Sequence, residues 1–220
     1  MTRSTSDASD EAAVRDMLRA ERLGLCDRLE ELDAAEWSSA SACTGWSVHE
    51  VVAHLTLATR QSKLDFVRGM LRHRGDFDRM TAAQAVAHAQ EYGPAELIEQ
   101  LRESAASTRT GMGSSARDSL IDVIVHGQDI ARPLGVRWVT PPERVVVALD
   151  HALASRWYGA KKRFARAALE ATDVDWTGGH GTLTIRGAAI DLLLAATGRT
   201  IGVDRLSGAG TVALQAAVNA

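Results

Sequence analysis

The segment from Arg117 to Ala131 constrains this chain more than any other. At about 100° per residue, Leu120, Ile121, Val123, Ile124, Val125 and Ile130 surround nearly the whole circumference of a helix. A helix that is apolar all round has to be buried among other elements. Asp122, His126 and Asp129 are the exceptions, and relative to Ile121 they fall at about 100°, about 140° and about 80°, on one narrow strip. Taking two carboxylates and an imidazole out of water without partners costs several kcal/mol each, so the strip calls for a cation, hydrogen-bond donors or a water-filled cleft. Asp122 and His126, four residues apart, project to the same side and can converge on a single ion.

Most of the remaining chain also has helical periodicity. From about Asp10 to Leu32, Val14, Met17, Leu18, Leu25, Leu29 and Leu32 recur at three- and four-residue spacings between charged residues. Ser47, followed three residues later by Glu50, has the order of a capping box, so a second helix is expected to start there and run through Phe66 to about Leu71. Pro94 marks the first turn of a third, preceded by a short one over Thr81 to Gln90. The apolar segment itself is stopped by Pro133 and Gly135.

After Pro141-Pro142 the pattern changes. Val145, Leu149, Leu153, Trp157 and Phe164 predict a long helix from Pro142 to Leu169, after which the helical period is lost. Thr182 to Arg186 alternates as a strand, Ala188 to Thr197 reads as a short helix ended by Gly198, and Thr211 to Leu214 reads as a second strand. The expected fold is mainly α: an antiparallel helix bundle over residues 1–140, and over 141–220 a long helix with a small α+β region.

Composition excludes several classes. A formal net charge of −3 and a pI near 6.2 leave no basic footprint for nucleic acid, and Lys161-Lys162-Arg163 reads as a solvated helix face. The start, Met1 to Asp7, is polar and has none of the apolar core of a secretory signal. No apolar run approaches the ~20 residues that cross a bilayer. A cytoplasmic protein is expected, with no membrane or nucleic-acid partner. Cys26 and Cys43 match neither a disulfide framework nor a zinc spacing, and each reads as a small buried hydrophobe.

The second helix supplies another metal-capable group. His54 lies about 120° from the main apolar stripe of Val48, Val51, Val52 and Leu55, flanking it rather than sitting in it. Thr44-Gly45-Trp46-Ser47-Val48-His49-Glu50-Val51-Val52-Ala53-His54-Leu55 resembles the second-helix signature of the DinB-like metal-binding bundles, in particular the mycothiol-dependent maleylpyruvate isomerase branch. His126 to Gly135 and Gly187 to Arg199 resemble later segments of the same branch, in order along the chain.

The resemblance implies a four-helix bundle holding a divalent metal, usually zinc, on His54, Asp122 and His126, with a low-molecular-weight thiol such as mycothiol as co-substrate. In much of the superfamily the first of the spaced pair is histidine, and in the isomerase branch glutamate. Asp122 is shorter and leaves the metal less positive than a neutral histidine would. Two imidazoles and a carboxylate suit zinc, nickel and iron alike. The expected chemistry is attack by a metal-held thiolate or hydroxide on a small electrophile, with Asp129 orienting a ligand or an arginine. Arg60 and Arg132, one or two turns beyond the ligands, are the candidates for binding carboxylates of the substrate or thiol. The competing expectation is a noncatalytic metal-binding or interaction protein that keeps the bundle.

Overall fold

The computed structural model describes residues 5–218, in two compact units divided as Met1–Trp138 and Val139–Ala220. Residues 1–4, part of the polar start read as lacking a secretory signal, lie outside the described residues. No described helix is long and apolar enough to cross a membrane.

The first unit holds α1 (Thr5–Glu30), α2 (Ala34–Ser38), α3 (Val48–Arg60), α4 (Lys63–Arg72), α5 (Phe77–Glu91), α6 (Pro94–Ala105) and α7 (Ala116–Ala131). Four of these form the bundle: α1 and α3 each pack against both α6 and α7. Residue pairs fix the directions. Arg15 donates to the Thr108 carbonyl and Cys26 to that of Ile98, so α1 and α6 are antiparallel. His54 meets Asp122, and the Ala42 amide donates to the Asp129 carbonyl, so α3 and α7 are antiparallel. His49 bonds the Tyr92 carbonyl and Arg60 pairs with Glu103, which makes α3 and α6 run the same way. The α4–α5 excursion allows this, because it carries the chain back before α6 begins.

The all-round apolar segment is buried as its composition requires: Leu120, Ile121, Val123, Ile124, Val125 and Ile130 all lie in the core. Its entry is fixed by Ser115, whose Oγ accepts from the Asp118 amide at 3.2 Å while its own amide donates to Asp118 Oδ2 at 2.8 Å.

The expected second helix is two helices. Gln61 is extended (φ −61°, ψ 129°), and Ser62 caps a new start by accepting from the Asp65 amide at 3.1 Å. Ser-Lys-Leu-Asp is itself an N-terminal capping sequence, and it interrupts a stripe that periodicity alone carries through. The short helix expected over Thr81 to Gln90 is longer, because Asp76 caps it by accepting from the Arg79 amide at 2.9 Å. The five-residue α2, closed by an Asp33–Glu36 capping box, was not anticipated.

The second unit contains α8 (Pro142–Ala154), α9 (Ala160–Arg163), β1 (Ala167–Ala171), β2 (Thr177–Gly179), β3 (Leu183–Gly187), α10 (Ala189–Ala196), α11 (Thr200–Val203) and α12 (Thr211–Val218). Its sheet has the order β2-β1-β3, with β1 antiparallel to β2 and parallel to β3. The α10 helix packs on α8.

Two expectations fail in this unit. The helix expected to reach Leu169 stops at Ala154; Ser155 is extended and Gly159 adopts φ 71°. Leu169 instead sits buried in the central strand, between Gly178 and Ile185. The strand expected over Thr211 to Leu214 is the first turn of α12, with Val212 exposed and Leu214 buried. Four alternating residues are too few to set a period, and the Ala-rich continuation to Val218 favours helix.

Candidate metal centre

Helix α3 brings His54 to the site from a well-defined start. Ser47 donates its amide to Glu50 Oε2 at 2.7 Å and its hydroxyl to the same oxygen at 2.9 Å. Trp46, just before this cap, packs over the His54 ring with centroids 5.4 Å apart. Helix α7 supplies Asp122 and His126 one turn apart, and the His54 and His126 rings meet edge to face at 5.0 Å.

One ligand atom from each of His54, Asp122 and His126 lies within 4.8 Å of the others. His54 Nε2 is 3.6 Å from Asp122 Oδ2, and His126 Nε2 is 3.3 Å from Asp122 Oδ1. Zinc with bonds of about 2.0–2.2 Å to nitrogen and oxygen in tetrahedral geometry separates its ligand atoms by roughly 3.3–3.6 Å. Both histidine–carboxylate separations fall in this range, each to a different oxygen of Asp122, and the donor types suit a divalent cation. The Asp122 side chain is 36% exposed, which leaves a side open to solvent and to a further ligand.

Asp129 is buried and acts on the opposite nitrogen of His126, whose Nδ1–H donates to Asp129 Oδ2 at 2.9 Å. That bond selects the tautomer whose Nε2 faces Asp122 and His54, the arrangement by which a carboxylate orients a metal-binding imidazole.

The charges are strongly coupled. Burial pushes the Asp122 carboxyl upward, but the attraction of His54 and the hydrogen bonds from His126 and His54 prevail and hold it well below the usual carboxylate range. Burial likewise opposes the charged form of His126. Hydrogen bonds to Asp122, Asp129 and Cys43 outweigh it, and the imidazole is held well above its ordinary value.

The two arginines singled out in the sequence are engaged elsewhere in the unit. Arg60, at the end of α3, pairs with Glu103 on α6. Arg132, just past α7, donates through Nε to Gln128 Oε1 at 3.1 Å. His49, on the first turn of α3, is half-buried, with Nε2 2.9 Å from the Tyr92 carbonyl and its ring against Trp37.

Two residues at the site escaped sequence reasoning. Cys43 donates through Sγ to Asp129 Oδ2 at 3.2 Å, with His126 Nδ1 3.5 Å away. No spacing signals this, because the loop is pinned by a backbone bond from Ala42 to the Asp129 carbonyl. Arg22 is 3% exposed, and Asp122 is the acid whose field acts on it. Its signal was present: the apolar stripe of Leu18, Leu25 and Leu29 places Arg22 in register with the core.

Residues 18–119 match the family model described as the mycothiol maleylpyruvate isomerase N-terminal domain. The matched segment includes Arg22, Cys43 and His54 and ends before Asp122. Among solved structures, the crystal structure of the mycothiol-dependent maleylpyruvate isomerase is similar with a TM-score of 0.58 and 16% identity, over 90% of this chain and 92% of that one. A mutant of that isomerase with one histidine replaced by alanine is similar with the same TM-score and coverage and 14% identity. At such identities the likeness is one of fold: a helix bundle followed by a small α+β region. The comparison with curated proteins gives no match.

Proposed function

We propose, for a chain whose first unit carries a segment matching the mycothiol maleylpyruvate isomerase N-terminal family, that it is a thiol-dependent isomerase requiring a divalent metal. The metal, zinc by preference, is held by His54, Asp122 and His126. The observation that carries this reading is the convergence of those three side chains, with ligand atoms within 4.8 Å of one another.

A divalent cation bound there would lower the pKa of a coordinated thiol, supplying a nucleophile at neutral pH. The substrate class is a small molecule with a carbon–carbon double bond conjugated to a carbonyl, as in the compound named for the relatives. The thiol sulfur adds to one alkene carbon and the double bond becomes a single bond free to rotate. Expulsion of the same thiolate restores the double bond in the other geometry, and no atom is consumed.

The chain's own residues perform definite tasks in this scheme. Asp129 holds the Nδ1 proton of His126 and keeps Nε2 free to ligate. Trp46 packs against the His54 ring at a tilt of 51°. Asp122, shorter than the glutamate of the isomerase branch, contributes the negative charge of the set at closer range to its helix. A cytoplasmic location goes with this proposal, since low-molecular-weight thiols are kept reduced there.

The test is thiol-dependent isomerisation of maleylpyruvate by the zinc-loaded protein. Turnover that needs both metal and thiol, and that falls in His54→Ala and His126→Ala, supports the reading. Metal-loaded protein that turns over no such substrate with mycothiol favours a noncatalytic metal-binding protein instead.

A further inference from the structure

A buried guanidinium in the bundle has no role in the scheme above. Arg22 extends from the middle of α1, is 3% exposed, and donates through Nη1 to the Ser104 carbonyl of α6 at 2.7 Å. Among the described residues it forms no ion pair with a carboxylate, and that one hydrogen bond leaves most of its donor fork unused. Arginines inside proteins are ordinarily paired, because an uncompensated buried cation is costly.

The surroundings indicate what would complete it. Helix α1 packs along α7, which carries Asp122, and the Asp122 field reaches Arg22 without a direct contact. None of the remaining Arg22 nitrogens is among the buried, partnerless polar atoms of the unit, so the unused donors face the small opening that Arg22 retains to solvent. Burial lowers the guanidinium pKa and Asp122 opposes the shift, as expected of a cation that lacks a full counter-ion.

The geometry points to Arg22 as the anion anchor of the site, its unused donors taking one carboxylate of a small dicarboxylate at the opening that Arg22 keeps to solvent. The assignment rests on the reading of His54, Asp122 and His126 as the reaction centre, and it gives to Arg22 the task that Arg60 and Arg132 suggested from sequence. Arg60 already has Glu103 as its counter-ion, and Arg132 is tied to Gln128. The planar fork of arginine suits a carboxylate held by two parallel hydrogen bonds.

The experiment uses succinate as probe and succinamide as its neutral counterpart, with the full-length protein both metal-free and zinc-loaded. Succinate is expected to raise the melting temperature of the metal-free protein in a saturable way, and succinamide is not. Arg22→Lys is expected to weaken succinate binding by about tenfold, because the point charge remains and the fork does not, and Arg22→Gln to abolish it. In the wild-type protein the Arg22 Nε–H resonance, assigned from its loss in Arg22→Lys, is expected to move on succinate addition, which keeps the test open should Arg22→Gln fail to fold. Wild-type affinity in Arg22→Gln, an unmoved resonance at saturation, or no succinate binding in either metal state would overturn the assignment. Failure to take up zinc would count against the metal reading alone, since the succinate response of the metal-free protein is read separately.

Discussion

His126 donates its Nδ1 proton to Asp129 Oδ2 at 2.9 Å, and both residues lie on the same turn of α7 within the bundle core. The bond leaves Nε2 directed at Asp122, so the orientation of the ring is set before any metal arrives. Asp129→Ala is expected to lower zinc affinity by about 10- to 100-fold, the range found when the carboxylate behind a ligating histidine is removed. Competition with a chelating indicator measures this, and unchanged affinity would show that packing alone orients the ring.

The coupled charges at Asp122 and His126 make the metal-free protein pH-sensitive on both sides. Asp122, held low, contributes stability that is present above its unfolded value of about 3.9 and lost as pH falls through the folded value. His126, held high, contributes stability that is present below its unfolded value of about 6.5 and lost as pH rises through the folded value. The chelator-treated protein should therefore melt highest between about pH 4 and about pH 6.5. Asp122→Asn should remove the acid flank and shrink the alkaline one, where Asp129 and Cys43 still hold His126 high. A wild-type profile that keeps rising through neutral pH would contradict the assignment.

The same charges bear on metal uptake. A cation has to displace the proton from His126, so zinc binding should release protons and weaken as pH falls below neutral. Calorimetry in buffers of different ionisation enthalpy reads the proton count directly. Uptake without proton release would mean that His126 is neutral in the metal-free protein.

Core and edge substitutions separate the two units. Leu101 is fully buried on α6, and Leu101→Ala is expected to cost about 2–5 kcal/mol through lost burial and the cavity left behind. Gly179 adopts φ 70°, and a Cβ there would lie 2.3 Å from the Ala167 carbonyl oxygen. Gly179→Ala should therefore destabilise the sheet by more than ~1 kcal/mol. Chemical denaturation followed at the tryptophans measures both, and a Gly179→Ala protein as stable as wild type would show that β2 is free to shift.

The bundle was legible wherever a period ran long enough to be unambiguous. Leu18, Leu25 and Leu29 on α1 and the all-round apolar run on α7 predicted burial that the structure bears out. Local chemistry that overrides periodicity was harder to see. Ser62 restarts a helix that Phe66 and Leu71 appear, by spacing alone, to continue, and Leu169 joins a sheet because Gly159 has already turned the chain. At the site, Asp122, His126 and Asp129 stood out because polar groups on an apolar helix need an explanation, and His54 through the resemblance of its segment to a known signature. Cys43 did not, since a long-range bond between Ala42 and Asp129 brings it there. Arg22 was readable as a charge in a core register, yet its meaning depends on Ser104 of α6 and Asp122 of α7, both far along the chain.

The central claim is that His54, Asp122 and His126 together hold a metal, and elemental analysis of the purified protein tests it most directly. Wild-type protein is expected to carry about one divalent ion per chain, and His54→Ala and His126→Ala are each expected to lose it while remaining folded. Wild-type protein that is metal-free and stays so when offered zinc would contradict the account.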